Sequence, residues 1–563
     1  MKKALSILTL LAVMATGCNK ENILDWEDPN DQNTQQGSSS GVSGSTTASV
    51  EEDGEDNVSE TEFSRTIIIT FSSSGSATVS GDENGIVKVS GNQVTVDNTS
   101  TKEKVKYELH GSTTNGFLKI YSNNKQALVL NDVSITNPNG AAINNQGKKR
   151  CFVIVNGSNL LADGTSYTAT PAEEDEKAAF FSEGQLIFSG SGSLTVTAKG
   201  KAGISSDDYI HLMDGPTLNV SSSAGHAVRG KDAVMVSGGT LKVTASAAMK
   251  KGIASDSLVV FNGGVTTVTV SGGPAYDDED QEYKASSGVK ADKLFIMNDG
   301  TLTITNSGAG GKGISGDADA YFQGGTVNVT VTGNNDTKSD KSAKGVKFDG
   351  NIYISGGSVS VKSSHHEGIE AKGKMEITGG TVYAQAYDDA IGSGGNLVIK
   401  DGFVCAYSTN NDGMDANGNL YIEGGVTYAM GSGSPEVALD ANTERGYKLY
   451  VNGGVLFAIG GLENSAVLSQ KCYSASSWTA NKWYSLTVGD NTYAFCTPAK
   501  GGSGLVVSGA SQPTVKSNVT VSGGNQIFNG MGVVGGTVSG GSNVSLSTYS
   551  GGNGGPGGGF PGR

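Results

Sequence analysis

Charge, proline, cysteine, histidine and aromatic side chains are all thin in this chain. Of its 563 residues only 17 % are charged and 7 % aromatic, with 10 prolines, 5 cysteines and 5 histidines. So few cysteines and histidines leave little material for a zinc or iron–sulfur site. Positive charge is also in deficit. Forty basic residues face 55 acidic ones, a formal charge of −15, which argues against nucleic acid or an anionic membrane as partner. No Gly-X-Y period runs through the 84 glycines, so collagen is excluded. Disorder throughout is excluded as well, because 36 % of residues are hydrophobic and recur in short Val/Ile/Leu alternations. What remains is an acidic, glycine-punctuated, β-rich chain.

The first seventeen residues read as an address. Lys2 and Lys3 precede an apolar run from Ala4 to Ala15, long enough for a signal peptide and too short for a membrane span. The run ends Ala15-Thr16-Gly17-Cys18, which resembles a lipobox, with Cys18 as the lipidated residue. Residues 19–62 are rich in Asn, Gln, Ser, Gly and acids and read, with Cys18, as a disordered tether over 18–62. The expectation is a lipid-anchored protein of the bacterial cell envelope, displayed at the outer-membrane surface and touching the membrane only through its anchor. Among the other cysteines, only Cys472 and Cys496 are near enough in sequence to suggest a weak disulfide pair.

Between them and the tether lies a repeat. Eleven glycines from Gly192 to Gly454, each opening a short alternating strand, are spaced 23, 24, 25, 36, 25, 32, 23, 22, 23 and 29 residues apart. The two widest spacings contain polar insertions, Pro274–Ala285 and Gly333–Ser342. Each repeat holds a Gly/Ala-apolar start such as Gly313-Ile314, a second strand such as Ile352-Tyr353-Ile354, then the glycine turn and a third strand. Three short strands per 22 to 25 residues make one coil of a parallel β-helix, all-β and single-stranded. The general rule for parallel crossovers predicts a right-handed helix, though β-helices of both hands exist. A propeller repeats at about 40–50 residues, and a calcium-binding β-roll at nine, and neither period fits. The expected organisation is a signal peptide over 1–17, a tether over 18–62 and the β-helix over 63–460. A smaller C-terminal β appendage over 461–550 and a Gly/Pro-rich disordered tail over 551–563 complete it.

The run Leu130-Asn131-Asp132-Val133-Ser134-Ile135, the start Gly140-Ala141-Ala142-Ile143, and the later motifs Glu367-Gly368-Ile369-Glu370 and Asp412-Gly413-Met414-Asp415-Ala416-Asn417-Gly418 carry a likeness. They resemble the bacterial parallel β-helix carbohydrate-binding family, pectate-lyase-like in fold and associated with cellulose and acidic plant-wall sugars. The resemblance covers residues 125 to 460 and implies a right-handed β-helix, polysaccharide binding and calcium sites. Where the family pattern reads Asp-Asp-Gly-Ile-Asn, this chain has Asp388-Asp389-Ala390-Ile391-Gly392, so one coil departs from the ligand set.

Aligned coil starts place two charged columns on the outside of the rod. The first runs His226, Lys251, Ser287, Lys312, Lys344, Glu367, Asp389, Asp412, and the second Arg229, Ala254, Lys290, Ser315, Lys347, Glu370, Gly392, Asp415, Asp440. Both change sign between Lys347 and Glu367. Two carboxylates at roughly 5 Å repel by about 0.8 kcal/mol in water and about 3 kcal/mol at an effective dielectric of 20. Glu367, Glu370, Asp388, Asp389, Asp412, Asp415 and Asp440 are therefore expected to hold calcium, which fits mixed carboxylates and turn carbonyls better than magnesium does. The competing reading is a hydrated acidic face or turn-capping Asp side chains. Arg229, Lys251, Lys290, Lys312, Lys344 and Lys347 form a basic ladder suited to uronate carboxylates, or merely a solvated face. Tyr353 and Tyr421, in an outward column with Tyr321 and Tyr450, could stack sugar rings, or lie under a terminal segment, residues 461–550.

No nucleophile constellation stands out. The adjacent His365 and His366 should point to opposite faces of a strand, which disfavours a two-histidine metal site. The first reading is thus polysaccharide binding without catalysis, on polygalacturonate-like chains or cellulose. A calcium-dependent, pectate-type lyase is the alternative and a structural adhesin the third. Loss of uronate-polymer binding would favour the adhesin, and unsaturated products absorbing in the ultraviolet the lyase.

Overall fold

The computed structural model describes residues 46–168 and 174–551. Cys18, the signal peptide, most of the tether and the tail after Gly551 lie outside the described residues. Among those described there is no α-helix. The chain winds as a parallel β-solenoid with three strands per coil, such as Lys312–Gly316, Asp319–Phe322 and Thr326–Val331. Corresponding strands of successive coils pair in parallel, and the first-strand face alone is a 15-stranded sheet. At about 4.8 Å per strand this rod is roughly 65 Å long.

Alternation sets the interior. On the first face Ile253, Val289, Ile314, Val346, Ile369 and Ile391 fall in one register and are all buried. The repeating glycine makes the stack possible. Gly264 sits at φ +70, and a Cβ there would lie 2.4 Å from the Gly238 carbonyl oxygen of the preceding coil. Gly357 repeats the relation against Gly324 at 2.5 Å. A side chain would strain the backbone and push coils apart at once.

Both insertions fold out over the first face. Within Pro274–Ala285, Ala275–Asp277 pairs antiparallel with Glu282–Lys284, and its Tyr276 and Tyr283 rings meet at 5.3 Å. Gly333–Ser342 closes on an Asp336–Lys341 bridge.

Two segments cover the other faces. Residues 46–63, expected to be part of a disordered tether to residue 62, instead form a strap along the second face. Val50, Val58 and Phe63 pack on an outward column that runs Phe152, Ile187, His211, Met235, Val260 and Ile296, apolar but for His211. The strap's acids supply the rest of the docking. Arg150, 3 % exposed, binds Asp53 at 2.6 Å, Glu55 at 2.8 Å and Asp56 at 2.9 Å. Asp56 also accepts from Tyr209 at 2.5 Å and contacts His211 Nδ1 at 2.6 Å. Low apolar content alone suggested disorder, but fixed cationic partners hold this stretch in place.

Residues after the last coil form the appendage. Leu505–Ser508 pairs antiparallel with the terminal strand Val455–Ile459 and ends the parallel stack of the third face. A six-stranded antiparallel sheet follows and packs Tyr484 and Phe495 on Tyr428 and Phe457 of the third face, with centroids 4.9 to 6.1 Å apart. Cys151, Cys405, Cys472 and Cys496 are free, so the Cys472–Cys496 pair is not made.

Candidate functional site

The backbone register brings the two charged columns into being. Lys251, Ser287, Lys312 and Lys344 are successive partners on the first face. So are Arg229, Ala254, Lys290, Ser315, Lys347, Glu370, Gly392, Asp415 and Asp440. Over the basic part the two insertions wall a groove of about 500 Å³ that takes in Arg229, Lys251, Lys290, Lys312 and Lys347.

A third column, two residues further along each coil, changes the electrostatics. It runs Asp256, Asp292, Asp317, Asp349 and then Lys372. Arg229 binds Asp256 at 2.6 Å, Lys290 binds Asp292 at 2.7 Å and also Asp317, and Lys347 binds Asp349. At the sign change the pairing inverts, and Lys372 meets Glu370. The Arg229/Lys290/Lys347 column is thus neutralised from within. This offset of two residues is regular enough to have been read from the sequence.

The other basic column is not neutralised. Lys251 Nζ reaches the Met249 carbonyl at 2.9 Å and Lys312 Nζ the Gly310 carbonyl at 3.0 Å. Neither has a carboxylate partner among the described residues. Burial, then the neighbouring Lys284, Lys250 and Lys290, pushes Lys251 down to about 8. Burial and Lys341, Lys344 and Lys347 push Lys312 down to about 7. Two partly desolvated amines on a groove floor, short of counter-charge, are an anion-binding arrangement. Lys344 is spent differently, on Glu370 at 2.6 Å and Glu367 at 3.2 Å.

Past the sign change compensation stops. The third column becomes Gly394, Asn417 and Asn442, leaving Asp389, Asp412, Asp415 and Asp440 without a basic partner among the described residues. Burial, then Asp415, Asp388 and Asp412, raises Asp389 to about 9. Burial raises Asp415 to about 6, and Asp412 and Asp440 are raised for the same first reason. Backbone amides meet only part of the charge, with Asp412 N on Asp389 at 3.1 Å and Val437 N on Asp412 at 2.5 Å. Glu367 and Asp388 gather elsewhere, around His366, their donor atoms lying within 4.8 Å of one another. His365 and His366 occupy a turn, not a strand, so the opposite-face argument does not apply to them.

The tyrosines lie on the second face, away from the groove. Tyr353 does not offer a ring to a sugar: it is 4 % exposed, stacked on Tyr321 at 4.8 Å and overlain by Lys374. The terminal residues that share the apolar cluster of Tyr321 and Tyr353 are Ala48, Val50, Val58 and Phe63 of the strap, and none of the described residues of 461–550 belongs to it. Tyr421 is half-buried and stacks on Tyr450 at 4.8 Å and 10°.

A family model described as carbohydrate-binding domain-containing protein matches residues 90–258 and 248–390. Together these hold the whole basic groove and the carboxylates up to Asp389. Among solved structures, a polysaccharide lyase-like protein from C. thermocellum, a gadolinium derivative, is 21 % identical with a TM-score of 0.37. The match covers 47 % of this chain and 96 % of that one. No curated protein matches the chain.

Proposed function

Because the chain belongs to the carbohydrate-binding domain-containing protein family, we propose that it binds an acidic polysaccharide along the first face without cleaving it. The observation that carries this reading is the unpaired column of Lys251 and Lys312 on the groove floor. A uronate chain brings one carboxylate per sugar and would supply the counter-charge those amines lack. The neutralised column of Arg229, Lys290 and Lys347 would serve as a wall that sets register more than affinity.

A divalent cation completes the proposal. Asp389, Asp412, Asp415 and Asp440 form an oxygen-rich stretch with no basic partner among the described residues, the donor chemistry that calcium prefers. Calcium there would offset carboxylate repulsion and stiffen the last coils. The His366–Glu367–Asp388 group fits calcium less well, since one donor is nitrogen and Lys344 already contacts Glu367.

The proposal extends to display at the outer-membrane surface through lipid on Cys18. The strap's Ala48 exchanges two hydrogen bonds with Gln323, at 2.9 and 2.8 Å, partway along the rod. A tether leaving there would hold the rod by its second face and leave the first-face groove open.

Polygalacturonate tests the reading. Saturable binding with no ultraviolet-absorbing unsaturated product supports it. Product would favour the lyase alternative, for which an amine held near neutrality, as at Lys312, could act as base. Absence of binding would leave the structural adhesin.

A further inference from the structure

A second concave site lies where the third face of the rod meets the appendage. It has a volume of about 440 Å³ and takes in Asn328, Ser358, Ser360, Tyr383 and the loop Gln526–Gly530. A contiguous space of about 230 Å³ shares Asn328, Ser360 and Asn529 with it. The combined size is ordinary for a small-molecule or sugar subsite.

The loop is built to present an amide. Phe528 is 2 % exposed and belongs to the apolar cluster shared by the appendage and the third face, which includes Tyr383, Tyr484 and Phe495. Phe528 and Asn529 both take positive φ, 58 and 52. Asparagine tolerates that region, whereas phenylalanine does so only at a cost of about 1–3 kcal/mol. The outcome is that Asn529 turns back to the rod and donates from Nδ2 to Ser360 Oγ at 3.1 Å. The side-chain amides of Asn328 and Gln526 border the same cavity and make no hydrogen bond within the described residues.

Charge is nearly absent from this corner. Neither cavity is lined by a carboxylate, and the one cation is Lys362 at the rim, 5.9 Å above the Tyr383 ring. Along the rod Asn328 and Thr330 of the cavity wall continue outward columns, Thr267–Thr303–Asn328 and Thr269–Thr305–Thr330. Each amide offers a donor and an acceptor, as each sugar hydroxyl does. An acidic polymer would find no counter-charge here beyond one lysine. We propose that this corner is a second glycan site, separate from the groove, which takes an uncharged oligosaccharide. The loop lies outside residues 90–390 matched by the family, whereas the rod wall of the cavity, Asn328, Ser358, Ser360 and Tyr383, lies within them.

The test uses the full chain with cellohexaose, mannohexaose and xylohexaose, titrated at low and high salt. The proposal expects at least one to bind with the same affinity at both salts. Gln526→Ala with Asn529→Gly, which keeps the positive φ and removes both amides, should weaken that binding by about tenfold and leave polygalacturonate binding unchanged. Absence of binding by all three sugars would overturn the proposal. So would binding that the double variant leaves intact.

Discussion

Lys312 and Lys344 are direct partners in one column of the first face, yet their ammonium groups differ in kind. Lys344 reaches Glu370 at 2.6 Å, whereas Lys312 reaches only the Gly310 carbonyl at 3.0 Å. One coil of separation divides a cation paired with carboxylates from one held only by a carbonyl, and the proposed ligand acts on that difference.

Binding should therefore depend on pH within the neutral range. Lys312 and Lys251 are pushed down to about 7 and about 8, so each gains its full charge only as pH falls through those values. Polygalacturonate affinity should rise from pH 9 to pH 6, with protons taken up on binding. Calorimetry in two buffers of different ionisation enthalpy reads the uptake directly. Identical heats in both buffers would show that these amines are not engaged.

The carboxylates make stability, like affinity, fall as pH rises. Asp389 and Asp415 have folded values raised to about 9 and about 6, above their unfolded value, so the folded state holds more protons between. Without added cation, stability should be full below about pH 4 and fall as pH rises through 6 and 9. Calcium should flatten this loss, and Asp412→Asn should blunt the calcium effect. A metal-free melt that is insensitive to calcium at pH 8 would remove the cation from the account.

The strap should detach as a unit. Asp56→Ala takes one carboxylate from Arg150 and strips His211 of its 2.6 Å contact, a loss of about 3 kcal/mol by analogy with broken buried pairs. Hydrogen exchange should then accelerate over residues 46–63 while first-face strands keep their protection. Uniform loss of protection along the rod would mean that the strap is part of the global fold.

Much of this was legible in the sequence, for a geometric reason. A parallel coil maps sequence period onto spatial register, so the columns through Lys251–Lys344 and Arg229–Asp440 could be aligned from glycine spacing alone. The neutralising Asp292 and Asp349 stand two residues after Lys290 and Lys347 and carried the same signal unread. The strap was signalled too, by outward positions that are apolar from Phe152 to Ile296 except at His211. Which segment covers them was not legible, because Asp53–Asp56 reaches Arg150 across nearly a hundred residues by ion pairing that follows no period. The Asn529 corner depends on the same kind of long-range meeting.

Glycine substitution probes the stack itself. Gly264→Ala places a Cβ 2.4 Å from a backbone oxygen at φ +70 and should impair folding or lower the melting temperature sharply. Gly273→Ala, with nothing within 4 Å of its Cβ, should be tolerated. Equal effects at both positions would contradict the coil-contact argument.

The most direct measurement of the central claim is polygalacturonate affinity in two double variants against the unaltered chain. Lys251→Ala with Lys312→Ala removes the unpaired column and should weaken binding by tenfold or more while flattening its salt dependence. Lys290→Ala with Lys347→Ala removes cations already held by Asp292, Asp317 and Asp349 and should weaken binding clearly less. If the two pairs lose equally, or the Lys290/Lys347 pair loses more, the unpaired lysines are not the ligand-binding floor of the groove.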